Sequence, residues 1–325
     1  MARRLRAKEG NTILSIKGQL FIDANQYLDL YQMIDAKKIL VRLEEQQKYI
    51  FVTRQIVDEV YRGAVRVAAN FLGEQLKKWE AKWGGITFPD HLLNTTDKRL
   101  ASKYKKLGEI SNKDTKEFKK LTYDLLEQVS QSKDEISRRL AGIFAEAVPH
   151  NGKELQQARE RREHGNPPGK GTDPLGDQLN WEQLLSQLQS NRGLWIISRD
   201  SDFATKHEGE RFLNAALYKN LATRLHPAEP EVFCFDNLSD GLTHFVKRNR
   251  VRATKLTPEE AERLKKEQES LPIVDWANYD DSASYLVVRA RADREAAQMR
   301  VAAMSQFASE QVFPPAISET DKDGT

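Results

Sequence analysis

Two short apolar runs in this chain each stop at an acid. Leu194-Trp195-Ile196-Ile197 is apolar at every position and gives way to Ser198-Arg199-Asp200-Ser201-Asp202-Phe203. Leu20-Phe21-Ile22 stops at Asp23 in the same way. A strand without a polar face suits the middle of a parallel sheet covered on both sides. Acids at its carboxyl end lie where open α/β sheets place ligands. Residues 19–23 read as the first central strand, 26–45 as a helix and 49–52 as the second strand, with Thr53 as N-cap of a helix to residue 72. Further on, a helix over 177–189, the strand Leu194–Ile197, a loop, a helix over 212–224 and a strand over 231–235 continue the alternation. Strands alternating with helices predict an α/β fold with a mostly parallel sheet.

Other stretches break this rhythm. Residues 74–157 are helical in pattern and rich in charge, without the period-two alternation of strands, and read as an insertion of long amphipathic helices. Residues 165–176 hold proline and glycine at a density that excludes regular structure. A short strand is expected at 12–16. Beyond residue 252, Thr257-Pro258-Glu259-Glu260 starts a helix, with threonine as cap, proline in the first turn and acids facing the helix dipole. A long helix is expected at 282–309 and a polar, disordered tail at 318–325. The expected organisation is one domain over 1–250, carrying the insertion at about 74–157, and a helical extension over 251–325.

Composition narrows the reading. Of 325 residues, 39% are hydrophobic and 30% charged, enough apolar material for a core but polar enough to imply long exposed helices. A net charge of +3 does not by itself establish nucleic-acid binding, so local clusters must carry that argument. The single cysteine, Cys234, excludes an intramolecular disulfide, fits a cytosolic compartment and reads as a small core residue within Val232-Phe233-Cys234-Phe235. No apolar stretch reaches signal-peptide or transmembrane length, which predicts a soluble, cytoplasmic protein without a membrane partner. The six histidines are scattered and suggest no zinc site.

The candidate chemistry lies in Asp23, Glu59, Asp177, Asp200 and Asp202. Asp23 and Asp200 follow buried strands, where an unpartnered charge is costly. Glu59 sits roughly 115° from the centre of the apolar face formed by Ile56, Val57, Val60, Ala64, Val67 and Phe71, which admits both a solvated helix flank and an acid leaning into a cleft. Asp177 reads either as a helix-start acid or as a ligand freed by Asp173-Pro174, which competes for the capping role; Asp202 also suits a turn. Asn25 and Thr53 are candidates to orient carboxylates, or to bond locally at strand and helix ends. Trp181 and Phe203 are expected to pack the core beside the site.

Four segments in order resemble the motifs of PIN-domain nucleases: Phe21-Ile22-Asp23-Ala24-Asn25, Val52-Thr53-Arg54-Gln55-Ile56-Val57-Asp58-Glu59-Val60, Gly176-Asp177-Gln178-Leu179-Asn180-Trp181-Glu182 and Ile197-Ser198-Arg199-Asp200-Ser201-Asp202-Phe203. The proline–glycine loop before the third is similar to a bacterial PIN-like family of uncharacterised function. The resemblance spans about 14–73 and 150–250. It implies a three-layer α/β/α sandwich and a metal-dependent phosphodiesterase, with Asp23, Glu59, Asp177 and Asp200 as ligands and Asp202 in a secondary role. Such hard oxygen donors suit Mg2+ or Mn2+.

For phosphate, the arginines of Arg159-Glu160-Arg161-Arg162 together with Lys170 flank the loop, Arg199 sits within the fourth motif, and Lys247-Arg248-Asn249-Arg250-Val251-Arg252 and Lys103-Tyr104-Lys105-Lys106 lie farther off. A P-loop around Gly165–Lys170 fails on spacing, and glycine follows the lysine where serine or threonine is required. A dehalogenase-like phosphatase needs an aspartate at position 25, which is asparagine, and a Toprim-type nuclease needs a glutamate where Asp23 stands. The expected function is an endonuclease acting on RNA in preference to DNA, a preference taken from the resemblance alone. The alternative is a PIN-like scaffold that binds nucleic acid or protein. The helical additions offer surface for a partner or a second copy.

Overall fold

The computed structural model describes residues 18–83, 98–169, 175–188 and 193–272. The strand expected at 12–16, the helix expected at 282–309 and the tail at 318–325 lie outside the described residues, as do Lys170, Asp173 and Pro174. The chain divides into two compact units, Met1–Gln75 with Asp124–Asp280, and Leu76–Tyr123 with Asp281–Thr325.

The first unit is built on a four-stranded parallel sheet in the order β2-β1-β3-β6, comprising β1 (Gln19–Ile22), β2 (Ile50–Phe51), β3 (Leu194–Ile197) and β6 (Val232–Phe235). Every residue of β1 and β3 is buried, as their unbroken apolar sequences require for central strands. The register pairs Phe21 with Ile196 and Ile22 with Ile197, so β1 and β3 end level.

Alternation along the strands supplies both faces of the sheet. On one side, Trp195 meets Phe245 at 5.0 Å, and the rings of Phe233 and Phe235 meet His244 at 4.7 and 5.2 Å, all against α9 (Leu238–Asn249). On the other, Phe21 contacts Phe203 at 5.7 Å, and Phe203 contacts Trp181 of α7 (Gly176–Gln187) at 6.2 Å. Helices on both faces of a parallel sheet make the expected three-layer α/β/α arrangement.

The remaining helices of this unit are α1 (Ala24–Asp29), α2 (Ala36–Glu45), α5 (Glu135–Phe144), α6 (Gly152–Glu163), α8 (Ala215–Leu225) and α10 (Pro258–Glu269). Both α3 (Arg54–Trp83) and α4 (Lys98–Ser130) contribute residues to each unit. Within the second unit, Trp79 stacks on Phe118 at 6.0 Å, and Lys119 pairs with Glu80 at 3.0 Å. Among the described residues of 74–157 the elements are helices, as the charge-rich pattern predicted. The expected helix start at Thr257 is a capping box, in which Thr257 and Glu260 bond each other's backbone amides. Among the described residues no helix is long and apolar enough to cross a membrane.

Several elements differ from their sequence expectation: α3 runs to Trp83, past the end expected at residue 72, and α8 starts at Ala215 because residues 212 and 213 belong to a strand. The helix expected over 26–45 is broken into α1 and α2, and the connecting turn puts Ile34 88% exposed, although its hydrophobicity argued for burial. Asp29, at the end of α1, is buried instead, because Arg199 and Gln268 reach it from distant parts of the chain. The loop expected after β3 contains a hairpin, β4 (Ala204–His207) with β5 (Glu210–Leu213). Its turn uses two residues of positive φ, Glu208 and Gly209, the geometry that matches strand twist. Most of the hairpin is exposed, so it lacks the apolar alternation that would have revealed it.

Gly18 fixes how closely β1 and α9 approach. A Cβ there would sit 2.6 Å from the rings of both Phe245 and Trp195. Because two buried aromatic rings cannot yield cheaply, Gly18→Ala is expected to destabilise the protein by about 1–3 kcal/mol. Urea unfolding measures this, and wild-type stability in the variant would contradict the packing account.

Candidate functional site

The site starts from the level ends of β1 and β3. The amide of Asp23 donates to Ile197 O at 3.0 Å and that of Ser198 to Phe235 O at 2.9 Å, carrying the ladder one residue past the strands. Asp23, only 6% exposed, then precedes α1, and the amides of Ala24 and Asn25 favour its charged form. The buried hydroxyl of Ser198 donates to Asp23 Oδ2 at 2.9 Å and accepts from the amide of Asp200 at 3.0 Å. Asp200 in turn accepts from the amide of Asp202 at 2.9 Å, a turn that holds both acids on one short loop. Arg211 of β5 closes that loop by donating to Asp200 O at 3.0 Å and Ala204 O at 2.6 Å.

The second wall comes from α3 and α7. Thr53 Oγ1 accepts from Ile56 N at 3.0 Å and donates to Asn180 Oδ1 at 2.5 Å, tying the start of α3 to α7. Glu59 lies against the first residue of α7: a Cβ on Gly176 would fall 2.2 Å from Glu59 Oε1. The neighbouring Gln55 donates to the same oxygen at 2.6 Å. Glycine at 176 thus permits the approach of Glu59 to a helix start, where the dipole favours an anion. Asp177 is the next residue along and is half-buried. The rim of α7 is held by Arg161 of α6, which pairs with Glu182 at 2.6 Å and donates to Pro167 O at 2.8 Å.

Electrostatics connects the acids. Burial pushes Asp23 up to about 6 against the lowering effect of Ser198, and the charge of Asp200 adds to the rise. Burial likewise pushes Glu59 up to about 7, opposed by Gln55 and reinforced by Asp23. Asp29, which sequence reasoning missed, is fully buried and feels the charge of Asp23. Its burial raises it to about 7 against the Arg199 ion pair and the Gln268 hydrogen bond. The clue was present, since Asp29 stands between Leu28 and Leu30, an acid in an apolar frame. Ser198, quoted within a motif but given no role, is the other missed residue.

Asp23 therefore shares its field with Asp200 and Glu59, while Asp177 follows the glycine that Glu59 touches and Asp202 follows on the Asp200 loop. Among the described residues, no three acidic, histidine or cysteine side chains stand close enough to enclose a metal ion. A hydrated divalent cation would need fewer direct carboxylates than such an enclosure supplies. Magnesium keeps several waters and takes only one or two direct carboxylates, so an open set of oxygens around buried Asp23 suits it. Buried Asn25 Oδ1, with no hydrogen-bond partner in the structure, adds an unused acceptor next to Asp23.

Residues 20–203, more than half the chain, match a family model described as a PIN domain. The chain belongs to the PIN-domain family. Members are generally nucleases and typically use divalent metals, so membership supports a nuclease-type reading. No curated protein and no solved structure matches the chain.

The basic residues divide. Two of the arginines expected to meet phosphate are committed internally. Arg161 is 10% exposed in its pair with Glu182, and Arg199 is 10% exposed in its pair with Asp29. Each guanidinium thus has a largely buried carboxylate of the fold as its partner. Arg162 and Arg159 are exposed on α6. Cys234 is half-buried with its thiol pushed up to about 11 by burial, which leaves it protonated.

The raised carboxyls set a pH dependence. The folded chain holds Asp23 at about 6, above its unfolded value of 3.8, so the native state binds the extra proton between them. Stability from this group is present at low pH and is lost as pH rises through about 6. In chelator, Asp23→Asn is therefore expected to gain on wild type by about 1 kcal/mol between pH 5 and pH 7.5. Parallel urea titrations at the two pH values measure this. A constant difference between the two proteins would show that Asp23 titrates normally.

Proposed function

We propose that this PIN-domain chain is a metal-dependent endonuclease that hydrolyses phosphodiester bonds in RNA. The observation that carries the reading is the meeting of Asp23, Asp200 and Glu59 in one electrostatic neighbourhood at the carboxyl edge of the sheet. In this reading Asp23, Asp200, Glu59 and Asp177 hold Mg2+ or Mn2+, and Asp202 supports the set. A bound divalent ion would supply an activated water and positive charge for the developing phosphate oxyanion. Ser198 orients the Asp23 carboxylate, and Thr53 keeps the Glu59 helix against α7. The burial that keeps Asp23 and Glu59 partly protonated, with a smaller part from neighbouring acids, would be offset by a cation, so binding it would release protons and strengthen as pH rises. The exposed Arg159 on α6 is placed to attract the nucleic-acid backbone. The choice of RNA over DNA rests on the family resemblance.

A scaffold that binds nucleic acid or protein without cutting is the second reading, favoured by the open spacing of the acids. Cleavage of labelled single-stranded RNA and DNA with Mn2+ or Mg2+ separates the two. Wild type is expected to cut RNA faster than DNA, to stop with chelator, and to lose activity by at least about 100-fold in Asp23→Asn and in Asp200→Asn. Folded wild type that binds RNA yet cuts neither polymer would favour the scaffold. Cutting that survives both substitutions would remove these acids from the mechanism.

A further inference from the structure

The family match ends at residue 203, yet α10, more than fifty residues later, is built into the floor of the acidic site. Its polar contact with α1 is one buried side chain. Gln268 is 1% exposed and has all of its polar groups matched. Its Nε2 donates to Gln26 Oε1 at 2.7 Å and Asp29 Oδ2 at 2.8 Å, both on α1, and its Oε1 accepts from the amide of Leu238 at 2.9 Å. The backbone around it is used as well. Arg199 Nη1 donates to Gln268 O at 3.3 Å and Leu271 O at 3.0 Å, while its Nη2 pairs with Asp29.

Arg199 lies between Ser198, which bonds Asp23, and Asp200, whose loop carries Asp202. Asp29 closes the helix that Asp23 precedes. One guanidinium and one amide therefore clamp together the two segments that deliver the acids, with the end of α10 as the fixed third part. The docking of α10 is reinforced at its outer side by Lys38–Glu260 at 2.7 Å, Arg263–Asp35 at 2.6 Å and Lys265–Asp240 at 2.9 Å. Exposed pairs contribute little alone. The buried amide and guanidinium network is the specific element, because each polar group in it would be costly to leave unmatched.

We infer that Arg199 and Gln268 are positioning residues that set the spacing of Asp23 and Asp200, making α10 an integral part of the nuclease centre. The inference rests on the reading of these acids as the metal-binding set. Constellations of this kind tolerate displacements of only about 0.5 Å, so loosening the clamp changes metal affinity without touching a ligand.

The test uses the full chain and Mn2+ alone as probe. Titration calorimetry is run on wild type, Arg199→Ala, Gln268→Met and, as reference, Asp23→Asn, with kcat and KM measured on labelled single-stranded RNA. Gln268→Met keeps the packing volume and removes the hydrogen bonds. Arg199→Ala and Gln268→Met are expected to weaken Mn2+ binding by about 10- to 100-fold and to lower kcat while KM for RNA stays within about twofold. Arg199→Lys, which keeps a charge for Asp29 but not the bonds to both carbonyls, is expected to fall between Arg199→Ala and wild type. Should Arg199→Ala not fold, Arg199→Lys and Gln268→Met carry the same comparison. Wild-type Mn2+ affinity in folded Gln268→Met and Arg199→Lys, with binding lost in Asp23→Asn, overturns the clamp and leaves the site reading intact. Wild type that takes no Mn2+ overturns the site reading and the clamp with it.

Discussion

The level register of β1 and β3 is the constraint on which the candidate site depends. With Ile22 opposite Ile197, the first residues beyond the two strands emerge side by side, and Ser198 can bond Asp23 directly. A slip of one residue would turn every side chain of β1 to the other face of the sheet. Phe21 would leave Phe203, Leu20 and Ile22 would change layers, and the acid would lose its hydroxyl partner. The cost of misplacing buried aromatic and aliphatic groups thus protects the geometry of a polar site that contributes no comparable stability of its own.

That polar site opposes folding. Asp23, Glu59 and Asp29 are all raised by burial before any like-charge effect is added. The two kinds of acid are resolved differently. Asp29 has a guanidinium in contact and an amide donating to it, so its charge is answered within the protein. Asp23 and Glu59 receive only neutral side-chain donors, Ser198 and Gln55. The charge of Arg62 lowers Glu59 only in part, and buried carboxylates raised in this way are candidates for a functional site.

The arginines follow the same logic in reverse. Arg161 and Arg199 stand in segments that look suited to phosphate, but each finds a buried carboxylate within the fold and becomes part of the frame. Sequence position alone does not distinguish the two outcomes, since the partners Glu182, Asp29 and Gln268 are brought up by packing.

The sequence by itself predicted the strands and nominated the candidate acids. Apolar runs of the Leu194–Ile197 kind suit a covered parallel strand, and Asp23, Glu59, Asp177, Asp200 and Asp202 follow as candidates from motif order on those elements. Local chemistry also settled the caps at Thr53 and Thr257, because a cap is made by residues three apart. The tertiary structure alone decided the break between α1 and α2, the exposed hairpin after β3, and the partners of Asp29, Arg161 and Arg199. The partners depend on groups far apart in the chain, such as Asp29 with Arg199 and Gln268, and no periodicity within a short window encodes a contact across that separation, while the hairpin is local but too exposed to show an apolar alternation. The strands declare themselves through burial, which leaves a pattern of hydrophobicity. The clamp around Asp29 is made of polar groups whose burial is visible only once their partners are in place.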